Sequence, residues 1–132
     1  MPRVLWPLVS GRPCIEVTLT LAVGGQPIPL ALLADSGAGS RNDPFGLILD
    51  EDDCLLCGGV AGEAVSLGAA YLGSFPVYLM SVQIPPIGFN GRVRAVGVGS
   101  VPANFNGIAC FAFLNQFTYG NFGDSNQFGL ER

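Results

Sequence analysis

The 132-residue sequence contains no histidine and no lysine, and its six cationic side chains are all arginine. The missing histidine excludes Ser-His-Asp triads, Cys-His dyads and His-ligated zinc together. Charge is scarce altogether: Asp, Glu and Arg make up 12% of the chain, against roughly 25% in ordinary soluble domains. The balance is −4, so the chain lacks the basic surface that displaces counterions from nucleic acid, and no nucleic-acid partner is expected. Long unbroken apolar runs are missing too. One long uncharged stretch, Ala64 to Gly91, is interrupted by Gly68, Gly73, Pro76, Pro85, Pro86 and Gly88, whereas a spanning helix wants about 20 apolar residues without such breakers. Near the start, Pro7, Gly11 and Pro13 prevent a continuous apolar leader core. These absences predict a soluble chain with no membrane partner, and Met1 suggests an independent start.

What is present is apolar. Hydrophobic residues form 49% of the chain, and self-association is the better explanation for so much apolar surface in a soluble protein. The length predicts one domain over residues 1–132, large enough to bury roughly two-thirds of the surface of its unfolded chain. The four cysteines are Cys14, Cys54, Cys57 and Cys110. Without a leader they are expected to be reduced thiols in a cytoplasmic protein. Cys54 and Cys57 have CxxC spacing, but a structural zinc site needs a second close pair, so they read as buried thiols on a strand and no metal is expected. Asp50-Glu51-Asp52-Asp53 reads as a solvated turn, because the later ligands and the glycine of a calcium loop are missing. No cofactor is expected.

With 19 Gly and 10 Pro, the chain reads as short strands cut by turns, an all-β pattern. Ile15 to Val23 alternates, with Ile15, Val17, Leu19 and Leu21 on one face and Glu16, Thr18 and Thr20 on the other. Gly24-Gly25 supplies a hairpin turn, and Pro29 to Ala34 reads as a strand buried on both faces. Phe45 to Leu49 suggests a short strand, and Leu55 to Leu67 a Gly-rich hairpin. Further strands are expected at Pro76 to Val82, Arg92 to Val98 and Gln127 to Glu131, with one helix at Phe111 to Phe117.

Asp35 is the informative carboxylate. It leaves the end of an apolar strand beside the core, where desolvation of a carboxylate is costly. Ser36 and Gly37 then offer a hydroxyl donor and a residue free to adopt unusual backbone angles. Local physics leaves two readings open, a carboxylate held on a tight loop for chemistry or an ordinary turn aspartate.

Leu32-Leu33-Ala34-Asp35-Ser36-Gly37-Ala38 resembles the Asp-Thr/Ser-Gly-Ala signature of the retropepsin-like aspartic proteases. Arg12-Pro13, the alternating strand and the Gly-Gly turn resemble the approach to that motif. Gly58-Gly59-Val60-Ala61-Gly62 is similar to the family's flap. Gly107 to Leu114 resembles its closing apolar segment and short helix, and Asp124 to Leu130 its final turn and strand. The likeness runs from Arg12 to Leu130. It implies a closed acid-protease-like β-barrel with a Gly-rich flap hairpin and one short C-terminal helix. It also implies an endopeptidase in which Asp35 is catalytic, Ser36, Gly37 and Ala38 support the loop, and Gly58, Gly59, Val60, Ala61 and Gly62 cover a peptide substrate. Ile108, Ala109 and Cys110 would close the site from below. Cys110 stands where the family usually has Gly.

Aspartic proteolysis needs two facing carboxylates that share one proton, and this chain has one copy of the motif: Asp124-Ser125 is followed by Asn126, not Gly. A homodimer with Asp35 meeting Asp35 is therefore expected, with Pro2 to Trp6 and Phe128 to Arg132 as candidates for an interdigitated dimer sheet. The competing readings are a catalytically inactive module of the same fold, used for dimerisation or peptide binding, and a redox or metal protein built on Cys54 and Cys57.

Overall fold

The computed structural model describes residues 1–68 and 71–132. Strand β2 (Cys14–Thr20) buries Ile15, Val17 and Leu19 while Glu16 and Thr20 face outward, as the two-residue side-chain period of a strand requires. It ends before Leu21. Val23 is fully outside the pattern, and the turn is closed by Leu21 N–H donating to Gln26 O at 2.9 Å. Gly24 and Gly25 both take positive φ, 89° and 69°, which is why two glycines are needed there. Strand β3 (Pro27–Ala34) returns antiparallel to β2. It lies between β2 and β8 (Gly107–Ala109), and its last residues are buried on both faces, Leu32 and Ala34 in the main core and Leu33 against Cys14 and Phe105 on the other side.

Strand β4 (Leu47–Asp50), strand β6 (Ser74–Ile84) and strand β7 (Phe89–Val98) complete the ring. The order β2-β3-β8-β4-β7-β6 closes through Thr18 opposite Gln83, giving a mixed barrel of 6 strands. Ile15, Leu19, Leu32, Leu47, Leu49, Met80 and Phe113 fill its interior. Gly107 is where β8 presses closest on β4, and a Cβ there would collide with the Ile48 carbonyl.

Three expectations need correction. Asp50 to Asp53 is not a turn: Asp50 caps a short helix, α1 (Glu51–Leu56), its carboxylate accepting from Asp52 N–H at 2.9 Å. The acidic run sits where free N–H groups and the helix dipole favour negative charge. Second, Leu55 to Leu67 is not a hairpin. Its first part ends α1 and its second part is strand β5 (Val60–Ser66), which pairs with β6. Cys54 is therefore helical, and Cys57 caps the end of the helix, so neither is strand-borne. Third, the closing helix is shorter than read, α2 (Phe111–Leu114). Phe117 lies beyond it, stacked edge-on against Phe113 at 5.4 Å and Phe89 at 5.3 Å. The apolar character of 111–117 reflects this aromatic cluster.

The terminal strands form a second, small sheet. Strand β1 (Arg3–Pro7) pairs with β10 (Gln127–Glu131), and β10 pairs on its other edge with β9 (Thr118–Gly120). Where an interdigitated sheet with a partner was expected, the two chain ends of one molecule pair with each other. β10 is filled on both edges, and β1 and β9 are the outer strands of this sheet. Among the described residues no helix is long and apolar enough to cross a membrane.

Candidate active site

Asp35 sits at the mouth of the barrel, one residue past β3. Its N–H donates to Ala109 O at 2.9 Å, and Ala34 N–H donates to Pro13 O at 3.0 Å, so the backbone leading into Asp35 is tied to neighbouring segments. One carboxylate oxygen, Oδ1, accepts from Gly37 N–H at 3.0 Å, and the carbonyl accepts from Ala38 N–H at 3.1 Å. Phe111 N–H closes the arrangement on Ala38 O at 2.9 Å, linking the loop to α2. The carboxylate is thus oriented by the loop that follows it. The Ser36 side chain is exposed and makes no hydrogen bond among the described residues.

Gly37 keeps a negative φ, contrary to the expectation of unusual angles at that residue. The positive φ belongs to Gly39, at 77°. A Cβ at Gly39 would also overlap the Asp43 carboxylate. That carboxylate accepts from Ser40 N–H at 2.9 Å and from the Ser40 hydroxyl at 3.3 Å. The loop from Gly39 to Gly46 is therefore folded around Asp43.

Asp35 opens into a cleft of ≈ 600 Å³. Gly37, Ala38, Ile108 and Cys110 line it, as do Asp43, Pro44 and Phe45 of the loop. Its far wall is the end of β5 and the start of the connection to β6, with Val65, Ser66, Leu67, Gly68 and Tyr71. Among the described residues the two carboxylates are the only charged groups of the lining, so the cleft combines apolar walls with negative charge.

Of the residues expected at the site, the structure brings Asp35, Gly37, Ala38, Ile108 and Cys110 to one cleft. Ala109 is buried in the barrel and contributes its carbonyl to Asp35 N–H. The glycine-rich segment does not reach the cleft. Gly58 (φ 75°) and Gly59 terminate α1, with Gly59 N–H on Cys54 O at 2.8 Å. A Cβ on Gly59 would stand 2.6 Å from Met80 Sδ, so this glycine serves close packing. Val60, Ala61 and Gly62 begin the exposed arm β5, on the wall of a different hollow. The arm nevertheless leads to the cleft, whose wall it reaches at Val65. Sequence reasoning missed this tip, and it missed Asp43, whose one signal was a serine three residues before it in a polar loop.

Cys110 fits its position. It precedes α2 with φ −85°, an ordinary value for any residue, and its N–H donates to Gly46 O at 2.9 Å. The side chain is 1% exposed. Burial, with the nearby Asp35 and Asp43 carboxylates, pushes the thiol up to about 12. Burial likewise raises Tyr71, with Cys110 as the lesser cause. Cys54 is fully buried and pushed up to about 12, first by burial and then by the acidic residues of α1. Thiols so far above neutral pH are poor nucleophiles and poor redox centres. Among the described residues no three metal-binding side chains come together.

No protein-family model matches this chain, and comparison with curated proteins finds no match. A crystal structure of a retropepsin-like aspartic protease from Rickettsia conorii is similar to it, with a TM-score of 0.58 over 97% of this chain and 89% of that one. The fold is retropepsin-like. Sequence identity between the two is 13%, so the likeness speaks for the shared backbone architecture. Within that retropepsin-like frame Asp35 lies at the end of β3, beside β8 and ahead of α2.

Proposed function

We propose that this chain is an aspartic endopeptidase whose active site is completed by a second copy, Asp35 facing Asp35 across a two-fold axis. The observation that carries the reading is the Asp35 loop: a carboxylate at the end of a buried strand, oriented by Gly37 N–H and opening into an apolar cleft of a retropepsin-like fold. Each chain supplies one such loop, and the chemistry needs two. A symmetric dimer supplies the second with the same surface on both copies. The unpartnered, exposed Ser36 hydroxyl is then available to brace the pair across the axis.

In the dyad one carboxylate is ionised and the other protonated. The ionised member takes a proton from a bound water as its oxygen bonds to the scissile carbonyl carbon. The protonated member donates to the carbonyl oxygen, stabilising the tetrahedral intermediate. Collapse breaks the C–N bond with a proton delivered to the nitrogen, releasing an amine and a carboxylic acid. An extended peptide would lie between the loop at Ala38 and the wall formed by Val65 to Gly68 with Tyr71, its backbone pairing as an added strand. The walls Ala38, Phe45, Ile108 and Leu67 favour apolar side chains.

Denatured casein, incubated from acid to neutral pH with and without an active-site aspartic-protease inhibitor, tests the reading. Inhibitor-sensitive cleavage favoured at acid pH is expected, with specific activity rising with protein concentration as dimers form. A folded Asp35→Asn protein that cleaves as fast as the parent would sink the proposal. A catalytically inactive dimerisation or peptide-binding module is the second reading, favoured by Cys110 in place of glycine beneath the loop. It predicts peptide binding without cleavage, and recovery of cleavage in Cys110→Gly would return the case to the enzyme.

A further inference from the structure

The arginines divide into two sets. Arg3 pairs with Glu131 at 2.8 Å and stacks on Phe122, Arg12 lies over Phe105, and Arg132 donates to Gly88 O at 2.6 Å while lying over Phe89. Arg41, Arg92 and Arg94 make no ion pair, side-chain hydrogen bond or aromatic contact among the described residues. All three line one groove of ≈ 300 Å³.

Their placement follows from the sheet. Arg92 and Arg94 are two apart on β7, so both leave the same face. Further along that face the strand carries Val96 and Val98, buried in the cluster beneath the Asp35 cleft. The neighbouring strand repeats the change, with Leu79 opposite Arg94 and Val77 opposite Val96. One sheet face therefore runs from the cleft to the arginines. Arg41 reaches the groove from the Gly39 to Gly46 loop, whose Asp43, Pro44 and Phe45 line the cleft on one side and the groove on the other. Leu79, Ala112 and Phe113 supply apolar lining, and Gln116 an amide.

A guanidinium carries five N–H donors and no acceptor, in a fork that matches a carboxylate. Asp43 is engaged by Ser40, and Glu63, in the adjoining hollow, is not within ion-pair distance of any arginine. We propose that this groove is an exosite for an acidic peptide segment with interspersed apolar residues. Its carboxylates would meet Arg41, Arg92 and Arg94 and its apolar side chains would rest on the half-buried Leu79 and Ala112. A net charge of −4 opposes long polyanions such as nucleic acid, whereas three cations on an apolar floor match a short acidic peptide. The segment would belong to the polypeptide cut at Asp35, a link that rests on the endopeptidase reading.

The test uses the Asp35→Asn protein, silent in cleavage and checked for fold by circular dichroism. A fluorescein-labelled peptide Leu-Glu-Glu-Leu-Glu-Leu and its glutamine counterpart are titrated by anisotropy. The glutamate peptide is expected to bind about tenfold tighter at low ionic strength, with the difference fading in salt. Arg92→Gln and Arg94→Gln should each weaken it roughly three- to fivefold, the triple substitution with Arg41→Gln should abolish the preference, and Arg12→Gln should leave it unchanged. Equal affinity for the two peptides, or undiminished binding to the triple variant, overturns the exosite. So does tighter arginine-dependent binding of a single-stranded oligonucleotide or phosphatidylserine vesicles. Because binding is read without cleavage, an intact exosite on a protein that cuts nothing removes only the Asp35 reading. Asp35-dependent cleavage without peptide binding removes only the exosite.

Discussion

Replacing Gly39 by alanine isolates the physics of the loop that shapes the cleft. Gly39 lies at φ 77°, a conformation that costs an L-residue about 1–2 kcal/mol. The added Cβ also displaces the Asp43 carboxylate from its two bonds to Ser40, at 2.9 and 3.3 Å. Bonds of this kind contribute about 0.5–1.5 kcal/mol each, so Gly39→Ala should cost about 2–5 kcal/mol in all. That is a sizeable share of the 5–15 kcal/mol that holds a typical domain folded, so roughly 1–2 M should be lost from the urea midpoint. Trp6, the single tryptophan, packs on the core and reports unfolding by fluorescence. The same substitution in an Asp43→Ala background should cost only the backbone part, about 1–2 kcal/mol, because the carboxylate it displaced is gone. An identical loss in both backgrounds would refute the idea that Gly39 exists to admit Asp43.

Gly59→Ala should lower the urea midpoint by an overpacking cost of about 1–3 kcal/mol, since its Cβ meets Met80 Sδ at 2.6 Å and Cys54 O at 2.8 Å. The KM of any cleaved peptide should stay unchanged, and a selective KM effect would show the glycine segment touching substrate after all. Phe113→Ala removes a fully buried ring that makes two edge-on contacts, with Phe89 and Phe117, and should cost about 3–5 kcal/mol in the same assay. Cys54 and Cys110 both ionise near about 12 in the folded protein instead of 9.0. Between those values the unfolded chain loses protons that the folded chain retains. Stability is therefore intact below pH 9 and falls as pH rises toward 12, and Cys110→Ala should flatten that fall in pH-dependent urea titrations.

The barrel was legible wherever one physical pattern dominated. In β2 the alternation of Ile15, Val17 and Leu19 against Glu16 and Thr20 registers a single buried face, and β10 was read with both its ends correct. The Asp35 loop was legible for a different reason: its polar residues interrupt an apolar run at a strand end, where a carboxylate is costly unless held. Strands β8 and β9 were missed because each is three residues long. A segment of that length has no period to read, and its strand character comes from the neighbours that pair with it.

The glycine-rich segment shows how composition misleads when glycine has more than one use. Gly58-Gly59-Val60-Ala61-Gly62 has the look of a hairpin tip, yet Gly58 ends a helix in a left-handed conformation and Gly59 lets β6 press against α1. Both uses are decided by elements on either side, and α1 itself was hidden because four consecutive acids, Asp50 to Asp53, read as solvent-facing loop. Those acids are helix-forming only in context: Asp50 caps, and the others occupy the first turn, where the free N–H groups favour them. Once α1 takes up Glu51 to Leu56, the hairpin must start later. Its tip then moves past Ser66, and the cleft gains Leu67, Gly68 and Tyr71 as its outer wall. The same displacement leaves the exposed start of β5 beside Arg92 and Arg94, so the position of one short helix decides both what covers Asp35 and what borders the arginine groove.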